Sequence, residues 1–267
     1  MRCVLLHYHF FKNAGTTIEE ILAHSFGHFA RLDSPDPDKP VHNAELLEFL
    51  YKNPEIQAVS SHHIHYPLPQ APGFLFFDIC VLRDPIDRLR SMYDYFRVKP
   101  FPGVALSDLA SKCSLGEFFS ELVERAPFWV NDVQVNLVAN GEWDHPPGSE
   151  DLDRAVRRIR AASFPAVADC FYPSLVAAEH ALKPVFPTLN CAQAPANISS
   201  GPGASLAERL ARVEAACGPA LYAELRRLNA LDYNLLDRAR AEVMQRFEAV
   251  PEHTNKLAAL HAAIAKV

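Results

Sequence analysis

Apolar and polar positions divide the chain into alternating short runs. Residues 2–8, RCVLLHY, form an apolar run bounded by a glycine-containing turn and read as a short buried strand. The segment TTIEEILAHSF follows, with apolar residues at 18, 21, 22 and 26, the spacing of one helix face. Thr16 or Thr17 suits its N-cap, and Glu19 and Glu20 then fall in the first turn, where carboxylates complement the helix dipole. DSPDPDKP at 33–40, with three prolines and three aspartates, reads as a loop, and NAELLEFLYKN at 43–53 as a helix stopped by Pro54. IQAVSSH at 56–62 is a second strand, and FLFFDICVL at 74–82 a third, apolar enough for the centre of a parallel sheet. Pro85 opens the helix IDRLRSMYDYFR from a first-turn position.

The second half is patterned as helices at 115–125, 129–139, 150–162, 173–182, 204–216, 219–247 and 252–266, with one further strand in FPAVADC at 164–170. PANISSGPGAS at 195–205 reads as a loop over a site. Without repeats or a linker, the pattern predicts a single domain over residues 1–267. Its expected fold is α/β, a central parallel sheet of the P-loop type flanked by helices, with a mostly helical C-terminal half.

Composition narrows the function classes. With 49% hydrophobic and 22% charged residues, the chain has the makeup of a globular protein rather than a disordered one. A net charge of -6 argues against a broad duplex-binding face, so no nucleic-acid partner is expected and any phosphate site must be local. No run approaches the roughly 18 apolar residues of a membrane span. His7 and His9 interrupt the first apolar stretch, which reads as a strand rather than a signal peptide and points to the cytoplasm. The six cysteines form no C-x-x-C pair and are expected to be reduced and structural.

Two segments carry chemistry. The first, His9-Phe10-Phe11-Lys12-Asn13-Ala14-Gly15-Thr16-Thr17, lies between a strand and a helix. Unpaired N–H groups at a helix start bind anions, Gly15 permits close backbone approach, and Lys12 supplies a point charge. It is not the G-x-x-x-x-G-K-[ST] cradle of ATP or GTP sites, because the lysine precedes the glycine. In the second, Val81-Leu82-Arg83-Asp84-Pro85-Ile86-Asp87-Arg88-Leu89-Arg90-Ser91-Met92-Tyr93, Arg83 ends a parallel strand, where open α/β sheets bind ligands. Ser91 lies eight residues on, two turns into the next helix, and the pair suits a second phosphate.

Together the two segments resemble the sulfotransferases, most closely the carbohydrate branch that includes heparan sulfate 2-O-sulfotransferase. The family's P-K-[TS]-[AG]-[GS]-T-[ST] loop, which holds the 5′-phosphosulfate of PAPS (3′-phosphoadenosine 5′-phosphosulfate), is matched at Phe11 to Thr17. Its L/V-R-D-P-[IV]-x-R-x-x-S-x-[YF] segment, whose Arg and Ser bind the 3′-phosphate, is matched at Arg83, Asp84, Pro85, Arg88, Ser91 and Tyr93. Weaker similarity runs through Asn131-x-x-Gln134 and Asp232-Tyr233-x-Leu235. Phe11 and Asn13 depart from the usual proline and Thr/Ser, and the loop at 195–205 lacks the basic residue many sulfotransferases use on the 3′-phosphate.

The resemblance implies a PAPS-dependent transferase that moves a sulfuryl group to a hydroxyl of a glycan or small molecule and needs no metal. Asn13, Ala14, Gly15, Thr16 and Thr17 would hold the 5′-phosphosulfate, Lys12 would stabilise the leaving phosphate, and Arg83 and Ser91 would anchor the 3′-phosphate. The acceptor proton needs a base, and Ser60-Ser61-His62-His63-Ile64-His65 supplies histidines. His63 matches the second histidine of the family's H-G-H-type segment and Ser61 its first, which makes His63 the expected base and His62 and His65 stand-ins. His63 and His65 also share one face of an extended strand, a spacing open to a metal or to a packed histidine cluster. His7 and His9 are expected to pack, with His9 a minor candidate beside the loop. Asn197-Ile198-Ser199 fits a glycosylation acceptor, a tripeptide frequent by chance.

Two other classes stay open. A P-loop kinase or nucleotide hydrolase would use ATP and Mg²⁺ with Asp84 as the acid after a strand. A non-catalytic nucleotide-binding protein would have no need to keep Lys12, His63, Arg83 and Ser91 together.

Overall fold

The computed structural model describes every residue except 37–38, 142–145, 193–203 and 266–267. Five parallel strands, β1 (Arg2–Tyr8), β2 (Phe29–Arg31), β3 (Ala58–Ser61), β4 (Phe74–Leu82) and β5 (Phe164–Val167), form one sheet in the order β2-β3-β1-β4-β5. The fold is α/β, with a mostly helical C-terminal half. Parallel strands buried on both faces read as near-continuous apolar runs, as β1 and β4 do.

Alternate residues of β1 divide the core. Val4, Leu6 and Tyr8 face a cluster shared with Leu46 and Leu50 of α2 (Asn43–Lys52), with α6 (Val133–Ala139) and with α7 (Ser149–Ala161). Leu5 faces the other way, toward α1 (Gly15–Ser25) and α8 (Phe171–Leu182). A third cluster joins α3 (Pro85–Val98), α4 (Ala105–Lys112), α5 (Leu115–Arg125) and α9 (Leu206–Leu228). Helices α10 (Ala230–Glu248) and α11 (His253–Ile264) complete the chain. Among the described residues no helix is long and apolar enough to cross a membrane.

The register sets the site. Tyr8, the last residue of β1, pairs with Ser61 at the end of β3 and with Cys80 near the end of β4. All strands run the same way, so the segments after β1, β3 and β4 emerge at one sheet edge. The chain order reverses across β1, with β3 on one side and β4 on the other, and such switch points open a crevice at the strands' carboxyl ends.

Several elements differ from the pattern. α1 begins at Gly15, and its cap is Ala14 in the left-handed region (φ 60), not Thr16 or Thr17. Glu19 therefore lies beyond the first turn and is buried. The stretch expected as a helix at 129–139 is a 3₁₀ turn at Pro127–Trp129 followed by α6, because Asp132 (φ 47) breaks it. Gly218 (φ 75) and Pro219 kink α9, and Asn229 separates it from α10, so the 219–247 helix is two pieces. The strand at 164–170 ends at Val167 and gives way to a 3₁₀ turn. β2 and α4 are too short for periodicity to reveal. The loop at 195–205 and the Asn197 tripeptide fall almost wholly outside the described residues. The six cysteines are unpaired, and burial pushes the Cys80 and Cys191 thiols up.

Candidate anion site at the sheet edge

The loop after β1 is built by backbone geometry. Lys12 (φ 67) and Ala14 (φ 60) both sit in the left-handed region, with Asn13 between them at ordinary φ. This alternation turns successive N–H groups into one concavity, and each non-glycine residue held there costs about 1–2 kcal/mol. The N–H groups of Asn13 and Thr17 are spent inside the loop, on Phe10 O (3.1 Å) and Ala14 O (3.1 Å). Those of Ala14, Gly15 and Thr16 have no partner among the described residues and point the helix start at the crevice.

The two departures in the first motif have local causes. The Asn13 side chain turns inward, and its Nδ2 donates to Val81 O (2.8 Å) and Gln134 Oε1 (2.8 Å), tying the loop to β4 and α6. Phe11 packs its ring against Tyr95 (5.6 Å), Phe96 (5.9 Å) and Trp129 (6.5 Å).

A cavity of about 120 Å³ opens in front of this loop. Lys12, Ala14, Gly15 and Thr16 line it from the loop, Arg83 and Ser91 from the second motif, Phe11 and Tyr95 as an aromatic wall, and His9 and His62 from the ends of β1 and β3. The Lys12 ammonium lies 4.3 Å from the Tyr95 ring centroid, within cation–π range. Burial, followed by the positive Arg83, lowers Lys12 to about 8. Its charge is thus sensitive to what occupies the cavity.

Arg83 straps the two motifs together. Its Nη1 donates to Lys12 O (2.9 Å), while Nε (2.9 Å) and Nη2 (2.6 Å) donate to Asp87 Oδ2. A guanidinium has five donors, so two are left for a ligand. Asp87 also accepts from Arg209 of α9, Nε at 2.8 Å and Nη2 at 3.0 Å, and Arg90 Nε lies 3.6 Å away. Burial alone would raise the Asp87 carboxyl, but Arg209 and Arg83 more than offset it and hold it below the usual range. Three arginines thus surround one buried aspartate, and Arg90 also pairs with Asp94 (3.1 Å). Arg209 follows the undescribed 193–203 segment, and nothing in its sequence spacing marks it.

Behind the cavity, Gln134 is the joint. Its Oε1 accepts from Asn13 Nδ2 and from Arg83 N–H (2.9 Å), while Nε2 donates to Arg83 O (2.8 Å) and reaches Asp232 Oδ2 (3.3 Å). Asp232 in turn accepts from the N–H groups of Gln134 (3.1 Å) and Val135 (2.7 Å). Tyr233 donates to Asp84 Oδ1 (3.4 Å), and Asp84 caps α3 through the Asp87 N–H (2.9 Å). The weakly patterned residues at 134, 232 and 233 are the scaffold that registers the two motifs.

The histidines separate. His63 Nδ1 sits 3.1 Å from Asp33 Oδ1 and 3.2 Å from the Ser34 N–H, and the residue does not line the cavity. His65 is outside it too. His62 reaches the wall, its ring stacked on His9 at 3.8 Å, and its Nδ1 donates to His9 O (2.7 Å). Burial and the neighbouring His9 lower it to about 4. The expected residues Lys12, Ala14, Gly15, Thr16, Arg83 and Ser91 thus converge. Asn13 and Thr17 are buried beside the cavity, and His63 lies apart from it. Among the described residues no group of three His, Cys, Asp or Glu is arranged to hold a metal ion.

No family model matches the chain. It is similar to a protein of Archaeoglobus fulgidus, 25% identical over 250 residues, which span 89% of this chain and 96% of that one. That protein is itself described only as uncharacterized.

Proposed function

We propose that the protein is a PAPS-dependent sulfotransferase acting on a hydroxyl of a glycan or small molecule. One observation carries the reading: the Lys12–Thr16 loop and the Arg83–Ser91 pair, about 70 residues apart in sequence, line one cavity at the carboxyl edge of the sheet. The cavity of about 120 Å³ would take the phosphate-bearing part of the donor rather than the whole nucleotide. Open N–H groups of Ala14, Gly15 and Thr16 would hold that end, and Lys12 would stabilise charge gathering on the leaving phosphate oxygen. Arg83 and Ser91 would take the 3′-phosphate, with Arg209 adding charge behind Arg83. A histidine would take the acceptor proton: the family resemblance points to His63, while the wall itself carries His62 and His9.

Asp84, the acid that a kinase or hydrolase would use on Mg²⁺, is occupied as the cap of α3 and does not line the cavity. Unpaired cysteines fit a reducing compartment, and we place the reaction in the cytoplasm.

Thermal shift and calorimetry with adenosine 3′,5′-bisphosphate, against ADP and ATP with Mg²⁺, test the reading. The bisphosphate at about 100 times its Kd should stabilise the fold by roughly 2.7 kcal/mol without metal. A response to ATP with Mg²⁺ alone would turn the assignment to a kinase, and no response to any of the three to a non-catalytic protein.

A further inference from the structure

The group best placed to receive a proton at this site is neither His63 nor His62. We propose that His9, oriented by Glu19, is the general base of the transfer; this assigns a residue within the sulfotransferase reading and rests on it.

His9 ends β1 and enters the cavity wall beside the anion loop. Its Nδ1 lies 3.1 Å from Glu19 Oε1. The same oxygen accepts from Ser60 Oγ (2.9 Å), and Glu19 Oε2 accepts from Arg31 Nε (2.7 Å). Burial would raise this carboxyl, but hydrogen bonds from His9, Arg31 and Ser60 outweigh it and hold Glu19 down to about 2. A carboxylate can only accept, so His9 Nδ1 carries the proton of that bond, and in the neutral imidazole Nε2 holds the lone pair.

The position of Nε2 is fixed from a second direction. A Cβ placed on Gly15 would fall 1.8 Å from His9 Cδ2 and 2.0 Å from Nε2. The Nε2 edge of the ring therefore lies on the first residue of α1, beside the open N–H groups. Glycine is needed there because the histidine occupies the space, which is a reason distinct from any anion.

The surroundings favour His9 over its neighbour. His62 is held through Nδ1 by a neutral carbonyl, whereas His9 is held by a carboxylate that stabilises the imidazolium formed on proton transfer. His7 stacks on His9 at 5.0 Å and spends its Nδ1 on Ser60 (2.9 Å). Burial keeps His7 and His62 below the usual histidine range, so neither competes for the proton at neutral pH.

In the step itself, an acceptor oxygen lone pair forms the new O–S bond while the bond from sulfur to the 5′-phosphate oxygen breaks. That bond's electron pair leaves on the phosphate, facing Lys12, and the acceptor proton passes to His9 Nε2. The products are a sulfate ester, adenosine 3′,5′-bisphosphate and an imidazolium that returns its proton to water.

The test measures bisphosphate formed from PAPS, with a panel of oligosaccharides and simple alcohols as acceptors, for wild type and for His9→Ala, His9→Asn, Glu19→Gln, His62→Ala and His63→Ala. Bisphosphate affinity, measured by calorimetry, reports folding and donor binding separately. The expected result is a roughly 10²–10⁴-fold loss of turnover in both His9 variants with bisphosphate affinity retained. Added imidazole should restore part of the His9→Ala rate. Glu19→Gln should lower kcat more than it changes KM. A His9 variant that binds bisphosphate and turns over at the wild-type rate overturns the inference and leaves the sulfotransferase reading intact, as does a comparable loss confined to His62→Ala or His63→Ala. If His9→Ala does not bind bisphosphate, the smaller polar change His9→Asn decides between these outcomes, and loss of binding there too assigns His9 to the fold and overturns the role. A wild-type protein that neither binds bisphosphate nor consumes PAPS overturns both.

Discussion

Replacing Gln134 by methionine keeps the volume of the side chain and removes its amide, and the cost can be worked from the bonds that end on it. Four are lost: those from Asn13 Nδ2 and the Arg83 N–H, and those to Arg83 O and Asp232 Oδ2. Asn13 keeps Val81 O, and Asp232 keeps the N–H groups of residues 134 and 135, so those partners are not stranded. The Arg83 N–H and C=O lose the partners that the structure gives them. Gln134 is 1% exposed, so water does not replace it. At about 1–3 kcal/mol for each stranded group, the loss is about 2–6 kcal/mol, a large part of the roughly 5–15 kcal/mol of a typical domain. Urea unfolding should show a lower midpoint at unchanged slope, which marks lost stability rather than a changed unfolded state. The loop and the end of β4 also lose their common tie, so bisphosphate affinity should fall in the molecules that remain folded. Gln134→Glu sharpens the test. It keeps an acceptor for Asn13 and Arg83 but loses the donor and sets a second carboxylate beside Asp232, so it should be least damaging at acid pH, where the new acid is protonated. A loss below about 1 kcal/mol for Gln134→Met would refute the view that this amide joins the two motifs.

Two further outcomes follow from the site. Lys12 loses its proton through about 8, below its ordinary value, so its charge is complete near neutrality and disappears as pH rises. Calorimetry should find bisphosphate affinity falling above about pH 8, approaching tenfold per unit for one linked proton, whereas Lys12→Met should bind more weakly and vary little over that range. A wild-type profile flat to pH 10 would remove Lys12 from the anion site. Gly15→Ala must displace the His9 ring, which Glu19 and two stacked histidines hold in place. Such overpacking costs typically about 1–3 kcal/mol, and denaturant titration with wild-type stability would show that the ring moves freely.

Four of the five described strands and the two motif-bearing turns were legible in the sequence, because a buried parallel strand is a short apolar run and Pro85 announces the helix that follows it; the three-residue β2 was not. The 2–8 and 74–82 strands match the structure to the residue. The strand at 56–62 contracts to 58–61. The start of α1 was not legible, since side-chain capping by threonine was outweighed by a left-handed turn at Lys12 and Ala14 that the residue types do not advertise. Helix ends in the second half moved for a similar reason, with Asp132 and Asn229 ending or opening helices that periodicity alone runs through.

For the site, sequence alone determined which residue types were present and in what order: a lysine and small residues after the first strand, an arginine and a serine after a central one, and histidines between. The tertiary structure decided which of them face one another. Parallel pairing of β1 with β3 and β4 puts three chain segments at one edge, and the bend that follows β3 sends His62 to the cavity and His63 to Asp33. Tyr95 and Arg209 enter only at that stage, and His9, a minor candidate in the sequence, and Gln134, a weak motif match there, acquire their parts in the site. Their roles come from partners 10 to 122 residues away, and contacts at such separations leave no periodicity in a single chain.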